Sequence, residues 1–192
     1  MADTPPRQKF LEVTSRLLET QGYHATGLNQ IVAESEAPKG SLYHYFPSGK
    51  EELAAEAVAS VGRRMIEGTA RQLKAYRDPA EAVRQFVLGI AKNVIGKNFC
   101  GGNPITLSAL ESSAQPTEFP LLSHAAGQVY SELVQVFAEH LRGAGVAESR
   151  VGSFATMIVA SIEGGMILAR TSRNAAPLEQ IAEEVYAMVK QE

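Results

Sequence analysis

Apolar residues recur at intervals of three and four along nearly the whole chain and almost nowhere at two, so the pattern predicts helices and requires no strands. In the opening stretch Phe10, Val13, Leu17 and Leu18 share one stripe while Arg7, Lys9, Glu12, Arg16 and Glu19 point away. That predicts a helix over 6–21, with Gly22 just past its end. Thr26 is the expected N-cap of a short helix through Glu34 that turns Leu28, Ile31 and Val32 inward. Ser35-Glu36-Ala37 leaves room only for a tight turn, and Pro38 suits the first turn of the next helix, which carries Leu42 inward and stops at Phe46-Pro47. Ser48 and Glu51 stand at capping-box spacing and open a long helix to about Tyr76. Asp78-Pro79-Ala80-Glu81 is the clearest start in the chain: a capping Asp, Pro at the first helical position, and an acid against the positive end of the helix dipole. Helices follow over 79–97, 104–113, 118–142, 148–171 and 177–190, divided by Gly-, Ser- and Pro-rich breaks.

Composition narrows the function. The chain has 192 residues, of which 45% are apolar and 20% charged, as in ordinary globular proteins. A net charge of −3 argues against a generic polyanion binder and leaves only a local surface for nucleic acid. The single Cys100 excludes an internal disulfide, and the N-terminus lacks a basic region followed by an apolar one, so a cytoplasmic setting is expected. No apolar run approaches the roughly 20 residues of a membrane span, so no membrane partner is expected. His24, His44, His124 and His140 never fall at metal-ligand spacing, so neither a metal nor another cofactor is expected. Cys100, His124 and Glu111 carry nucleophile, base and acid chemistry, but no elbow motif or oxyanion signal accompanies them, so the chain is not read as an enzyme. Cys100 is read instead as a small buried or pocket-lining residue.

The segment from Thr26 to Lys50 is the informative one. Two short helices joined by three residues and braced by a preceding helix have the layout of a helix-turn-helix, whose second helix fits the major groove. From Pro38 to Lys50 there are two lysines, no acid, and Tyr43, His44 and Tyr45 in a row. Hydroxyl, imidazole and ammonium groups all donate to phosphate oxygens, and Gly40 lets the backbone approach closely.

Leu17-Leu-Glu-Thr-Gln-Gly-Tyr-His-Ala-Thr-Gly-Leu-Asn-Gln-Ile31, then Lys39-Gly-Ser-Leu-Tyr-His-Tyr-Phe46 and Lys50-Glu-Glu-Leu53, resemble the N-terminal domain of the TetR family of transcriptional regulators. The resemblance implies an all-α protein with a helix-turn-helix DNA-binding domain over 1–53 and a helical effector-binding and dimerisation domain over 54–192. It implies a one-component regulator, expected to be a repressor, that binds a palindromic operator in double-stranded DNA as a homodimer and is released by a small-molecule effector. By position in the motif, Thr26 and Asn29 match contacts of the second helix; Pro38, Lys39, Gly40, Ser41, Tyr43 and His44 match the recognition helix; Lys50 matches a backbone-contacting lysine. Two departures stand out: Glu36 occupies a turn position usually held by Gly, and Gly49 lengthens the link to Lys50 by one residue.

Beyond Tyr76 the resemblance is loose. Phe86, Ile90, Cys100, Asn103, Leu107, Tyr130 and Met157, apolar or small polar residues on expected inward faces, are the candidate effector-lining set. Phe154, Ile158, Ile162 and Met166 form a stripe that, with Val185, Met188 and Val189, is expected to lie partly at the dimer interface. Gly164-Gly165 permits close helix approach. The rival reading is a small all-helical ligand-binding protein or enzyme that uses Cys100.

Overall fold

The computed structural model describes residues 5–191, which contain nine helices and no strand. They are α1 (Pro6–Ala25), α2 (Leu28–Ser35), α3 (Lys39–Tyr45), α4 (Lys50–Leu73), α5 (Pro79–Gly96), α6 (Pro104–Ser113), α7 (Pro120–Gly143), α8 (Glu148–Ser172) and α9 (Ala176–Lys190). The α-only expectation holds because the three-and-four spacing supplies each helix with one apolar stripe, and the stripes find one another.

The chain divides into two compact units. One holds the residues up to Met65 together with Gly101–Tyr130; the other holds Ile66–Cys100 together with the residues from Ser131 onward. In the first unit Phe10, Leu18, Ile31, Leu42, Phe46 and Leu53 are fully buried, with the Phe10 and Phe46 rings edge to face at 6.4 Å. In the second, α5, α8 and α9 pack together over Val83, Val87, Ile158, Leu178 and Ala182, and Phe86 meets Phe137 edge to face at 5.6 Å. Lys190 closes this unit by reaching Asp78 at 2.8 Å, which, with the Ala80 amide, holds the Asp78 carboxyl below the usual carboxylate range.

Several local expectations are corrected. The Thr26 hydroxyl donates to the Gly22 carbonyl at 2.6 Å, and Gly27, with no side-chain cap, stands at the start of α2. Pro38 is the N-cap of α3 rather than part of its first turn. The reaching-back acid at the start of α4 is Glu52, which accepts from the Ser48 amide at 2.8 Å; Glu51 accepts instead from the Leu121 and Leu122 amides at the first turn of α7. α4 ends at Leu73 and α7 begins at Pro120. α8 has mean hydropathy 1.6 over an 18-residue window, long and apolar enough by composition to cross a membrane, contrary to the sequence reading. Its apolar face is that of a core helix packed on α5 and α9. Close approach to α9 falls to Gly165 alone: a Cβ there would sit 2.5 Å from Ile181, whereas one at Gly164 would meet nothing.

Candidate nucleic-acid interface

The α2–turn–α3 pair is built as the sequence requires. Ile31 and Leu42 are fully buried, fixing which face of each short helix points inward. Glu36 takes the left-handed conformation at φ 51°, the strained turn position expected of a non-glycine there. Opposite the buried face, Asn29, Pro38, Lys39, Gly40, Tyr43 and His44 are exposed, with Tyr43 at 52%. Ser41 is half-buried and its hydroxyl donates to the Pro38 carbonyl at 2.6 Å. Lys39 donates to Asn29 Oδ1 at 3.4 Å, bringing the candidate phosphate and base contacts of the two helices together. A Cβ at Gly40 would meet nothing, so the glycine leaves an open backbone for a ligand to approach.

Two of the nine DNA candidates sit differently. Thr26 is 1% exposed and its hydroxyl is used on Gly22, so here it secures the end of α1. Lys50 is half-buried, its Nζ lying 4.2 Å from the centroid of the Tyr23 ring. Burial lowers the Lys50 pKa, an effect opposed by the nearby Glu111 charge. Of the acids beside the reading surface, Glu34 is paired: Arg16 reaches it at 2.5 Å and holds its carboxyl below the usual range.

Residues to which the sequence reading gives other roles, or none, organise the back of this unit. Gly22, at φ 77°, breaks α1. Tyr23 beyond it is 4% exposed, stacks edge-on against Phe119 at 5.0 Å, and has its phenol pushed up to about 12, first by burial and then by Glu51 and Glu118. The Tyr23 amide donates to the Glu111 carboxylate, and the Gly102 amide donates to the Glu19 carbonyl at 3.1 Å. Only Gly22 signalled this arrangement in sequence, as a helix-ending residue.

The effector candidates fall into both units. Asn103, Leu107 and Tyr130 belong to the first, where the Asn103 side chain accepts from the Ile105 amide at 3.0 Å as the cap of α6, and Tyr130 meets the Thr106 hydroxyl at 2.8 Å. Phe86, Ile90, Cys100 and Met157 belong to the second. Phe86 and Ile90 are half-buried on α5, but Cys100 is exposed rather than buried, and Met157 lines a groove between α8 and α9. Of the expected dimer stripe, Phe154, Ile158, Ile162, Val185 and Val189 are buried within the chain's own unit, because α8 and α9 first have to cover each other. Met166 and Met188 are partly exposed, and Ile167 and Leu168 are 52% and 57% exposed. Among the described residues no cluster of three or more His, Cys, Asp or Glu has metal-binding geometry.

Comparison with known proteins bears on the family of the chain. A family model for bacterial regulatory proteins of the tetR family matches residues 10–57, and one for the LmrA/YxaF-like transcriptional regulator C-terminal domain matches 79–184. The HTH-type transcriptional regulator YxaF of Bacillus subtilis is 40% identical over 186 residues, covering 96% of this chain and 95% of that protein. The HTH-type transcriptional regulator LmrA of the same organism is 39% identical over 184 residues, covering 96% of each. The crystal structure of the regulatory protein TetR from Rhodobacter sphaeroides shares the fold at TM-score 0.81 and 19% identity, over 96% of this chain and 98% of that one.

Proposed function

The chain belongs to the TetR family of transcriptional regulators, and on that premise we propose that it is a cytoplasmic, homodimeric repressor that reads a palindromic operator and lets go when a small molecule binds. The observation that carries this reading is the exposed surface of α2 and α3, where Asn29, Lys39, Tyr43 and His44 stand together over a fully buried Ile31 and Leu42. A short helix with a fixed inner face and an outer face of donors around a bare glycine matches what the major groove and its flanking phosphates require. Lys39 and His44 supply phosphate contacts, Asn29 and Tyr43 base or sugar contacts, and Pro38, Gly40 and Ser41 the close-lying backbone. Thr26 and Lys50 act behind them, fixing the posture of the surface, and Lys50 reaches phosphate on leaving the Tyr23 ring.

The division of labour follows the chain: residues 1–53 read DNA, and residues 54–192 bind the effector and dimerise. Phe86 and Ile90, half-buried on α5 within the second unit, remain proposed effector-lining residues. Met157 goes with Met188, Ile167 and Leu168 to the dimer face. The chain is not proposed to be an enzyme: the Glu111 carboxylate of the imagined catalytic trio is occupied with the Tyr23 amide.

The test is selection of bound fragments from random DNA by the purified full chain at about 150 mM salt, near physiological ionic strength. An enriched inverted repeat is the expected result. No enrichment, even from protein unfolded, stripped of ligand and refolded, would overturn the reading.

A further inference from the structure

Among the described residues, four that are not glycine take positive φ: Glu36 at 51°, Asn98 at 50°, Phe99 at 59° and Arg173 at 50°. A left-handed backbone under a side chain persists where its surroundings fix it. Three of the four fix one another, because Arg173 donates to Asn98 Oδ1 at 2.9 Å and its guanidinium lies 5.8 Å from the centroid of the Phe99 ring. Glu36 has no such contact, and it is exposed. The other described acids of α1 to α3 are all engaged. Glu12 accepts from Gln8 at 2.8 Å, Glu34 accepts from Arg16 and Gln30, and Glu19 also has a partner. Lys39, three residues beyond Glu36, donates to Asn29 rather than to the carboxylate. The chain therefore keeps an unpaired charge on a strained residue, at a position where glycine would remove both.

We propose that Glu36 is a specificity-determining residue, whose carboxylate accepts from the exocyclic amine of a cytosine or adenine at the edge of each half-site and repels a duplex that lacks the amine there. Glu36 caps the end of α2 two residues before Pro38, the N-cap of α3, so it shares a turn with the exposed start of the recognition helix. In this motif the first residues of that helix meet base edges. An ionised carboxylate only accepts hydrogen bonds, and phosphate oxygens have none to give it. In the major groove the donors are the N4 amine of cytosine and the N6 amine of adenine. Phosphates repel Glu36 on every duplex, and the repulsion is offset only where such an amine faces it. A chain that discriminates in this way gains specificity by weakening its hold on the wrong sequences. The inference rests on the DNA-reading function proposed above.

Two variants of the full chain separate the charge from the strain. Glu36→Ala removes the carboxylate and keeps a side chain on the left-handed backbone, whereas Glu36→Gly removes both. Each is compared with the unaltered protein by selection from random DNA, by affinity for the selected inverted repeat and for a non-cognate duplex of equal length, and by denaturant unfolding. The unaltered protein is expected to enrich cytosine or adenine at one fixed position of each half-site and to discriminate there on the order of tenfold. Both variants are expected to accept any base at that position and to bind the non-cognate duplex several-fold tighter. They should match each other on DNA, although only Glu36→Gly unfolds at higher denaturant. Unchanged base preference in both variants would overturn the proposal. So would a change in Glu36→Gly alone, since the backbone and not the carboxylate would then be responsible. Tighter binding to every sequence with the preference intact would show a carboxylate that repels DNA but reads no base, and would also overturn it. If the unaltered protein enriches no inverted repeat, the repressor reading itself falls, and this inference with it.

Discussion

Tyr23 and Lys39 show how differently two residues of one short unit answer to the sequence. Lys39 follows a legible rule: a lysine at the first turn of a helix whose inner face is fixed by Leu42 stands in solvent, free to meet a phosphate. Lys39→Ala is expected to weaken operator binding and to lower the slope of log affinity against log salt by about 0.9, one phosphate contact; titrations at several salt concentrations decide it, and an unchanged slope removes Lys39 from the phosphate set. Asn29→Ala is expected instead to relax preference at one base pair per half-site, by about 1–3 kcal/mol, seen in competition among operator variants. Tyr23 was illegible because its environment comes from Phe119, Glu51 and Glu118, remote in sequence. Its phenol is pushed from 10.0 to about 12 in the fold, so the neutral form is favoured there. A raised folded pKa gives a contribution that is complete below the unfolded value and lost as pH rises through the folded one. Between pH 10 and pH 12 the Tm of the unaltered protein is therefore expected to fall faster than that of Tyr23→Phe. Parallel melting curves would refute the burial of the phenol.

At the scale of the element, the start of α5 is readable because both partners of its cap lie within one turn. Asp78 accepts from the Ala80 amide at 3.1 Å with Pro79 and Glu81 behind it, as the local pattern demands. Ser48 and Glu51 satisfy the same local logic but do not pair, because a carboxylate able to reach back one turn is equally able to cap another helix. Glu51 serves the first turn of α7, where two bare amides and the positive end of the dipole outweigh the amide of Ser48, left to Glu52. Glu51→Ala is expected to cost about 1 kcal/mol, within the range of lost N-caps, and to loosen amide protection in the first turn of α7. Loosening at the start of α4 instead would restore the capping box. The Gly164-Gly165 pair makes the same point in packing. The sequence announces a close approach without saying which glycine makes it; that depends on the rotation of α8 about its axis against α9. Gly165→Ala drives a methyl into Ile181 and Leu178 and is expected to cost about 1–3 kcal/mol. Gly164→Ala, with open space around it in the single chain, is expected to leave unfolding unaffected or improve it by up to about 1 kcal/mol from helix propensity. Denaturant unfolding of the two variants separates the positions.

At the scale of the whole molecule the stripe along α8 and α9 shows what one chain's pattern cannot distinguish. Periodicity marks positions that leave water, and a position covered by the same chain looks identical to one covered by another copy. Phe154, Ile158, Ile162, Val185 and Val189 are already covered within the protomer. What remains on these helices is an apolar rim of Met157, Ile167, Leu168, Ile181 and Met188, with Ile167 and Leu168 more than half exposed. A chain of net charge −3 has little general attraction for DNA, so the proposed dimer gains useful affinity by joining two short reading surfaces. Linking two weak sites raises affinity by roughly 10²–10⁴ through effective concentration alone, and loss of the link forfeits that factor. Leu168→Glu is therefore expected to give a folded monomer by light scattering, with helical content retained and operator affinity lower by about that factor. Ile158→Glu, aimed at a fully buried position, is expected to unfold the second unit whatever the oligomeric state. If Leu168→Glu remains dimeric and binds the inverted repeat normally, the two reading heads are joined through some other face, and the rim on α8 is free for a different partner.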